Sequence, residues 1–239
     1  MLWRYQDLPR YFDLLLKNKL FFCRIDKYED PFEGMYNKKT ATDFLEKHQS
    51  VSSITTGKNE TEKLEEISKK QNEKRTFVTA NSWHENNSEN FAMWKIYAKG
   101  SYGIALQTSY KRLKDCFHVT DKPIHIGKVN YYNESCDMLS KKDNNTLLPF
   151  LSKRHIYEYE KEIRCCYLID EDKTSRFDWD EQDTLNGVFI PVDLNEMIER
   201  IYISPYSPKW IRDIVEGITK KFKLDKEIVH SSVFDSIDY

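Results

Sequence analysis

The chain lacks the cysteine and histidine spacings that mark a disulfide framework or a zinc site. Its five cysteines stand at positions 23, 116, 136, 165 and 166 without a CxxC pair, and its six histidines lie far apart. An odd number of unpatterned cysteines indicates reduced thiols, as in a cytoplasmic protein. Cys165 and Cys166 are adjacent, so we expect one of them on each face of a single strand.

Long apolar runs and an excess of charge of one sign are also missing. No segment approaches the roughly 20 apolar residues that a membrane-spanning helix needs, and the first residues lack the basic and apolar regions of a signal peptide. The 37 Lys and Arg residues nearly balance the 39 Asp and Glu residues, which leaves a net charge of -2. This balance argues against a protein that coats nucleic acid or an acidic membrane. We expect a cytoplasmic protein without a membrane contact.

Common catalytic motifs are missing too. The sequence contains no GxSxG nucleophile elbow, no GxGxxG dinucleotide loop and no phosphate-binding P-loop. A thiol enzyme is disfavoured, because Cys165 and Cys166 fall inside a predicted strand.

Aromatic residues are abundant instead, with 15 Tyr and 13 Phe among 239 residues. Such side chains bury large areas, so a sizeable core is feasible. Predicted strands outnumber predicted helices and do not alternate strictly with them, which favours an α+β fold. We expect one domain over residues 1–239 with a mixed or antiparallel sheet as its core, and two small sheets around a cleft are the alternative arrangement. Polar loops are predicted at 137–145 and 170–186.

Residues 38–75 form a charged segment that is poor in large apolar side chains. Phe44 with Leu45, and Leu64 with Ile67, mark two weak amphipathic helices within it. We interpret the segment as a helical insertion within the domain and expect substrate or partner specificity there. A solvated surface excursion without such a role is the alternative.

Residues 76–103 join a predicted strand to a predicted helix. We expect the strand to place three side chains near the start of the helix, namely Ser82, Trp83 and His84. Ser88 is expected to cap that helix. Aromatic side chains recur along it at helical spacing, at Phe91, Trp94 and Tyr97. Aromatic rings interleaved with basic residues can stack a nucleobase or a nicotinamide ring; the alternative is a core joint whose tryptophans only pack.

A predicted helix at 146–157 carries Lys153 and Arg154, and a predicted strand follows at 158–169. Period-two alternation puts four charged side chains on one face of that strand, namely Glu158, Glu160, Glu162 and Arg164. Three neighbouring carboxylates repel each other unless positive groups or a ligand lie among them. The alternative is a solvent-facing strand edge with mixed charges.

Paired strand carboxylates of this ExE kind suit one particular reaction. They can stabilise the oxocarbenium ion that forms when a glycosidic bond breaks. An arginine on an early strand, such as Arg4, can hold a phosphate or a ribose. The polar loop at 26–34 adds Asp30 and Glu33, and loops on a rigid scaffold often carry binding residues.

Several sequence blocks resemble a bacterial family. They are LWRYQDLPRYFDLL with LFFCRIDKYEDPFEG, SWHENNSENFAMWKIYA with YGIAL, SKRHIYEYEKEIR, and IYISP. In this order, and over almost the full chain, they resemble the bacterial domain-of-unknown-function family 2971. The chain departs from that pattern mainly at residues 38–75, which are longer and more charged. That family is largely uncharacterised, so the resemblance implies no activity.

The order of three motifs is similar to that of the ADP-ribosyltransferase fold. Enzymes of that fold use an arginine or histidine on an early strand. They use a serine, threonine or tyrosine on a middle strand that leads into an aromatic helix, and a glutamate on a late strand. Arg4, Ser82 and either Glu160 or Glu162 match these motifs in order.

This second resemblance implies a substrate and a role for each group. The substrate is NAD, bound in a cleft between two small sheets. Arg4 would hold a ribose or a phosphate, and Trp83 and Tyr97 would flank the nicotinamide ring. Glu162 would orient the ribose and stabilise the developing cation.

Our leading hypothesis is a bacterial, cytoplasmic, NAD-using ADP-ribosyltransferase-like enzyme that acts as an effector in a toxin or phage-defence setting. Its predicted catalytic residues are Glu162, Glu160 and Arg4. The predicted ligand-binding residues are Tyr5, Asp30, Glu33, Ser82, Trp83, His84, Glu89, Tyr97, Lys153, Arg154 and Arg164. No metal is predicted, and the expected partner is a nucleotide-like small molecule.

Two other functions are consistent with the same residues. In a non-enzymatic ligand- or protein-binding module, the charged residues of 153–164 form a structural ion network, and Trp83 and Trp94 belong to the core. A metal-dependent nuclease would use the carboxylates of Asp30, Glu33, Glu89 and Glu160, which must then lie within a few ångström of each other. The sequence selects no protein or nucleic-acid target and no oligomeric state.

Overall fold

The computed structural model describes residues 1–48, 59–98, 100, 102–133, 146–169 and 186–234. Within them the chain forms an α+β domain, in which helices flank a mixed sheet of nine strands. This is the predicted fold class. The loop predicted at 137–145 and almost all of the loop predicted at 170–186 lie outside the described residues.

The N-terminal segment follows the local signals in its sequence. Strand β1 spans Leu2–Asp7, helix α1 spans Leu8–Lys17 and strand β2 spans Lys19–Arg24. The side chain of Asp7 caps α1 by accepting the backbone N–H of Arg10 at 2.8 Å. Asn18 has a φ of 50°, in the left-handed region, which ends the helix and turns the chain into β2.

The predicted insertion contains the two expected helices. Helix α2 spans Lys38–His48 and helix α3 spans Glu60–Arg75. Asn59 and Glu62 form a capping box at the start of α3. The connection at 49–58 lies outside the described residues. Helix α3 packs against the rest of the domain, because its buried Gln71 donates to the carbonyl of Gly34 at 2.6 Å. The alternative of a solvated surface excursion is therefore wrong for this helix.

Strand β3 spans Val78–Glu85, helix α4 spans Phe91–Tyr97 and strand β4 spans Gly103–Thr108. The expected cap at Ser88 is wrong: Asn90 caps α4, and its side-chain oxygen accepts the N–H groups of residues 92 and 93. The reason is a long-range contact. The backbone N–H of Asn90 donates to the hydroxyl of Tyr5 at 2.9 Å, which fixes Asn90 in an extended conformation at the helix start.

The next elements are helix α5 at Tyr110–Asp115, a 3-10 turn at Cys116–Val119, strand β5 at His125–Lys128 and strand β6 at Asn130–Tyr132. Strand β5 pairs with β8 in the large sheet, whereas β6 pairs with β7 in a separate sheet. The two short strands therefore belong to different sheets although they are neighbours in the chain.

The helix predicted at 146–157 is wrong. A 3-10 turn spans Leu148–Leu151, strand β7 spans Ser152–Arg154, and a 3-10 helix spans His155–Glu160. Strand β8 spans Glu162–Leu168, so it begins later than predicted and leaves Glu160 outside it. Lys161 interrupts the period-two pattern because its φ of 41° is left-handed.

The remaining elements are strand β9 at Gly187–Pro191, helix α6 at Leu194–Met197, strand β10 at Arg200–Ile203, helix α7 at Ile211–Lys221 and strand β11 at Glu227–His230. Strand β10 pairs parallel with β11 and antiparallel with β4. The large sheet is therefore mixed. No helix within the described residues has the length and apolar composition of a membrane span.

Strand β3 is the branching strand of the large sheet. One edge pairs with β8 from residue 78 to residue 84. The other edge pairs with β2 at residues 79–80 and with β1 at residues 84–85. The sheet therefore divides at residues 81–83, and we call this place the fork. One arm consists of β1, β4, β10 and β11, and the other arm consists of β2 and β9. The chain thus forms one large forked sheet and a two-stranded sheet of β6 and β7, rather than two small sheets of similar size.

The two faces of β8 pack into different clusters. Cys165 belongs to the main apolar core with α1, whereas Cys166 belongs to a smaller cluster with Ile25 and Phe150. The prediction of one cysteine on each face is confirmed. The four cysteines within the described residues are free thiols.

Candidate functional site

A group of buried charged side chains lies beside the fork. It consists of Glu33, Lys153, Glu160, Glu162 and Arg164, and we call it the charge cluster. None of the five residues is more than 7% exposed, and Arg164 is 0% exposed. Charged side chains are almost never buried to this extent unless they are paired.

Four separate segments supply the charge cluster. Glu162 and Arg164 project from the same face of β8, two residues apart. Lys153 comes from β7, Glu160 from the end of the 3-10 helix, and Glu33 from the loop after β2. Because Lys161 has a left-handed conformation, Glu160 and Glu162 both reach Lys153 although only Glu162 lies in the strand.

Glu162 has the densest set of contacts. Its Oε2 accepts from Arg164 Nε at 3.0 Å, from Arg164 Nη2 at 2.7 Å and from Ser82 Oγ at 3.0 Å. Its Oε1 accepts from Lys153 Nζ at 2.8 Å. Burial alone would raise the pKa of Glu162, but Arg164 and Lys153 outweigh burial and hold this pKa far below its ordinary value. Glu162 is therefore ionised at neutral pH.

Glu160 is a different kind of carboxyl group. Its Oε1 accepts from the hydroxyl of Tyr97 at 2.6 Å, and its Oε2 accepts from Lys153. Burial and the neighbouring Glu162 raise the pKa of Glu160 to about 7. Two carboxyl groups whose pKa values are driven apart in this way can take different roles in acid–base chemistry.

Arg164 and Lys153 are the two cations of the charge cluster. Arg164 Nη2 lies 2.6 Å from Glu33 Oε1, and Arg164 Nη1 donates to the carbonyl of Phe150 at 2.6 Å. Lys153 Nζ lies 3.7 Å from Glu33 Oε1. Positive groups thus lie among the carboxylates, which the repulsion between like charges requires.

Arg4 and Ser82 meet at the fork. Arg4 Nη1 donates to the carbonyl oxygen of Ser82 at 2.9 Å, while the hydroxyl of Ser82 donates to Glu162. Arg4 is half-buried, and burial lowers its pKa to about 10, so the guanidinium stays charged at neutral pH. Residues from β1, β3 and β8 are therefore connected through the single residue Ser82.

Tyr28 also lies at the fork, and sequence reasoning missed it. Its hydroxyl donates to the carbonyl of Ala80 at 3.3 Å, and the guanidinium of Arg164 lies 5.4 Å from its ring centre. Burial raises its pKa, so the phenol is neutral. The only signal in the sequence was its position in the polar loop at 26–34.

Asp30 and Arg154 form a second ion pair on the outer side of this loop. Arg154 Nη2 lies 2.9 Å from Asp30 Oδ1, and Arg154 Nε lies 3.2 Å from Asp30 Oδ2. The guanidinium also lies 4.9 Å from the ring centre of Phe32, which is 56% exposed. Asp30 and Arg154 thus neutralise one another, with Asp30 buried and Arg154 partly exposed.

His84 contacts the backbone of the charge cluster. Its Nδ1 lies 2.6 Å from the carbonyl of Glu160, so Nδ1 carries the hydrogen and donates it. Burial lowers the pKa of His84, which favours the neutral ring. His84 therefore fixes the backbone that presents the Glu160 side chain.

Three predicted site residues stabilise other parts of the protein. Trp83 is 1% exposed in the main core, on the face of β3 opposite to Ser82, so its ring is not available to flank a ligand at Ser82. Glu89 accepts from Trp94 Nε1 at 3.0 Å. Tyr5 packs edge-on against Trp94, with ring centres 5.0 Å apart. Glu89 and Tyr5 therefore position α4.

The carboxylates do not form a metal centre within the described ranges. No group of three or more His, Cys, Asp or Glu side chains there is arranged to hold a metal ion. Asp30 contacts Arg154 and Glu89 contacts Trp94, so two of the four carboxylates of the nuclease hypothesis are engaged elsewhere. A surface cavity of about 440 Å³ lies on α5 and α6, and none of its lining residues, Lys111, Lys114, Asp115, His118 and Glu196, belongs to the predicted site.

No family model matches this chain, and no curated protein matches it either. The two resemblances drawn from the sequence blocks and from the motif order therefore stay predictions.

Proposed function

We propose that the protein is an NAD-using, ADP-ribosyltransferase-like enzyme whose active site lies at the fork. One observation carries this proposal. Ser82 accepts from Arg4 through its carbonyl oxygen and donates to Glu162 through its hydroxyl group. Two hydrogen bonds thus connect the three residues expected from the motif order, although β1, β3 and β8 are far apart in the sequence.

The chemistry of glycosidic cleavage suits a carboxylate such as Glu162. The bond between the ribose C1′ and the nicotinamide nitrogen breaks, and the nitrogen keeps the electron pair. Positive charge moves from the ring to the ribose, and nicotinamide leaves as a neutral molecule. Arg164 and Lys153 hold Glu162 ionised, so a fixed negative charge faces the developing cation.

The second half of the reaction needs a proton acceptor. A hydroxyl or amine of the acceptor, or water, forms the new bond to C1′ and loses a proton. Glu160 suits this role because its pKa is about 7 and because it lies beside Glu162. Arg4 supplies a positive charge for the phosphates or the ribose, and Ser82 positions Glu162.

The experiment is an NAD consumption assay on the purified protein, with nicotinamide release measured by chromatography. Glu162→Gln removes the fixed charge and should lower the rate by about 100-fold or more. Glu158→Gln is the matched control, because Glu158 lies in the neighbouring turn with its side chain 57% exposed. Intact NAD, together with no change in melting temperature when NAD is added, would contradict the proposal.

Glu162→Gln also disturbs a buried ion network, so a milder variant is needed. Ser82→Ala removes one hydroxyl group and leaves all charges in place. It should lower the rate by about tenfold, the effect of one hydrogen bond to a charged group. Equal rates for Ser82→Ala and the natural protein would remove Ser82 from the site.

A non-enzymatic binding module is the second candidate, and a specific observation favours it. Arg164 and Lys153 already pair with Glu162, whose side chain is only 8% exposed. Such pairing under packing is what a structural ion network requires. A protein whose melting temperature rises with NAD but which releases no nicotinamide would support this function instead.

The cellular setting is part of the proposal and has its own test. An enzyme that consumes NAD in the cytoplasm should stop the growth of the bacterium that expresses it, as an effector in toxin or phage defence would. Expression of the natural protein should arrest growth, and expression of Glu162→Gln should not. Equal growth with both proteins, at equal protein levels, would contradict this setting.

A further inference from the structure

Helix α3 of the insertion turns two polar side chains toward the interior of the domain. Ile67, Gln71 and Arg75 follow each other at intervals of four residues, so they lie on one face of the helix. These three residues are the buried residues of α3, and Gln71 is only 2% exposed. A buried polar side chain costs stability unless it is hydrogen-bonded, so the contacts of Gln71 and Arg75 define the role of this face.

Gln71 binds the backbone of the loop that carries Glu33. The Nε2 atom of Gln71 donates to the carbonyl oxygen of Gly34 at 2.6 Å, and this hydrogen bond is buried. Gly34 directly follows Glu33, whose carboxylate belongs to the charge cluster. The hydrogen bond therefore fixes the loop one residue away from a member of the charge cluster.

Gly34 packs closely against a second group that binds Arg164. A Cβ atom on Gly34 would lie 2.7 Å from Cδ1 of Phe150, and the φ of Gly34 is 74°, so a larger residue would be strained here. The carbonyl oxygen of the same Phe150 accepts from Arg164 Nη1 at 2.6 Å. The backbone at Gly34 thus sets the place of Glu33 and lies against Phe150, and both residues hold the Arg164 guanidinium.

Arg75 adds a buried positive charge on the same side of the loop. It is 7% exposed, and its Nη1 donates to Asn72 Oδ1 at 2.9 Å. Burial lowers the pKa of Arg75, and the carboxylates of Asp26, Glu33 and Asp30 oppose this effect, so the guanidinium lies in their field. Arg75 therefore balances the carboxylates of the loop and attracts the loop toward α3.

Two further contacts connect the loop to Glu162. Glu33 Oε1 accepts from Arg164 Nη2 at 2.6 Å. Arg164 donates to Glu162 Oε2 through Nε at 3.0 Å and through Nη2 at 2.7 Å. Because a guanidinium is planar and rigid, the contact with Glu33 also fixes the orientation that Arg164 presents to Glu162. All three side chains are buried, so a displacement of the loop would change this orientation.

We propose that Gln71, in the insertion, is a positioning residue of the fork. It holds the loop through Gly34, so that Glu33 keeps the Arg164 guanidinium aligned on Glu162. The effect on Arg164 is a property of the folded protein and needs no substrate. The effect on catalysis rests on the proposed function, because it requires that Glu162 stabilise the developing cation.

The first experiment measures hydrogen exchange of Arg164 by NMR on the full chain labelled with 15N. The Nε–H signal of Arg164 is assigned by its loss in Arg164→Lys. Gln71→Met keeps an unbranched side chain of similar length but removes the donor to Gly34. It should speed exchange of the Arg164 Nε–H about tenfold, since the loop opens more often. The backbone N–H of Cys165, in the same strand, should exchange as in the natural protein.

Ser68→Met is the matched control, because Ser68 is an exposed, uncharged residue of the same helix and its change should leave the exchange of Arg164 unaltered. Gln71→Asn keeps the test informative if Gln71→Met does not fold. It retains an amide but is shorter by one methylene group, so it should also speed exchange of the Arg164 Nε–H. An unchanged rate at Arg164 would overturn the inference. Equal acceleration at Arg164 and Cys165 would also overturn it, since Gln71 would then only stabilise the fold.

The second experiment follows nicotinamide release from NAD. Gln71→Met should lower kcat by about three- to tenfold and leave KM for NAD unchanged, because it disturbs Glu162 and not the Arg4 contact. A higher KM with an unchanged kcat would contradict the inference. The two proposals fail separately. Faster exchange at Arg164 in a protein that leaves NAD intact would keep the positioning role and contradict the enzyme, whereas NAD turnover with unchanged exchange would do the reverse.

Discussion

The two faces of β8 are equally buried but are stabilised by different forces. On one face, Ile163 and Cys165 pack in the main apolar core. On the other face, Glu162 and Arg164 lie in the charge cluster, at 6% and 0% exposure. Apolar packing tolerates a change of shape better than a buried ion network tolerates the loss of one charge. Because replacing a buried ion network by apolar side chains is often neutral or stabilising, the charged face is where we look for a function.

The largest effect is expected from a change on the charged face. Arg164→Met leaves Glu33 and Glu162 without their main cationic partner, so the free energy of unfolding should fall by about 3–5 kcal/mol. Urea denaturation followed by circular dichroism measures this change. Arg200→Met is the control, because Arg200 forms an exposed pair with Glu227 and its loss should leave the free energy of unfolding almost unchanged. Equal effects of the two variants would show that the cluster is not the buried network described above.

A change on the apolar face should cost somewhat less. Ile163→Ala opens a cavity in the main core and should lower the free energy of unfolding by about 2–4 kcal/mol. Leu168→Ala, at a position that is 37% exposed, should lower it by less than about 1 kcal/mol. The same denaturation experiment checks both values. A loss for Ile163→Ala as small as that for Leu168→Ala would mean that this face is not tightly packed.

The smallest effect is a dependence of stability on pH. Glutamate has an ordinary pKa of 4.5, and Glu160 has a pKa of about 7 in the folded protein. Between these values the folded state holds a proton that the unfolded state has lost, so the stability contributed by Glu160 falls as the pH rises. Relative to Glu160→Gln, the natural protein should lose about 2 kcal/mol between pH 5 and pH 8.

Measurement of both proteins at several pH values reports this contribution, because titrating groups that are distant from Glu160 contribute equally to the two curves. Glu158→Gln should follow the natural protein. Parallel curves for the natural protein and Glu160→Gln would mean that Glu160 is ionised throughout this pH range.

The elements that the sequence predicts well have local signals. Asp7 and Pro9 mark the start of α1, and the four apolar residues named for the insertion mark α2 and α3. The missed elements depend on distant partners. Lys153 lies in β7 because this strand pairs with β6, and Asn90 replaces Ser88 as a cap because Tyr5 holds its N–H.

Part of the candidate site was predictable as well, because some of its residues are neighbours in the sequence. Glu160, Glu162 and Arg164 are close in sequence, so their clustering follows from the chain itself. The period-two argument placed Glu160 in the strand, which is wrong, because a left-handed Lys161 precedes β8. No local pattern shows that Glu33 crosses to Arg164 or that Tyr28 enters the fork, since these contacts depend on how the sheet divides. The opposite orientation of Ser82 and Trp83 was predictable, because consecutive residues of a strand point to opposite faces.

The release of nicotinamide from NAD is the measurement that tests the central claim most directly. The purified protein and Glu162→Gln are incubated with NAD, and the amounts of NAD and nicotinamide are followed by chromatography. If the fork is the active site, the natural protein should release one nicotinamide for each NAD consumed, and Glu162→Gln should be slower by about 100-fold or more. NAD that stays intact with the natural protein, or equal release by both proteins, would contradict the account.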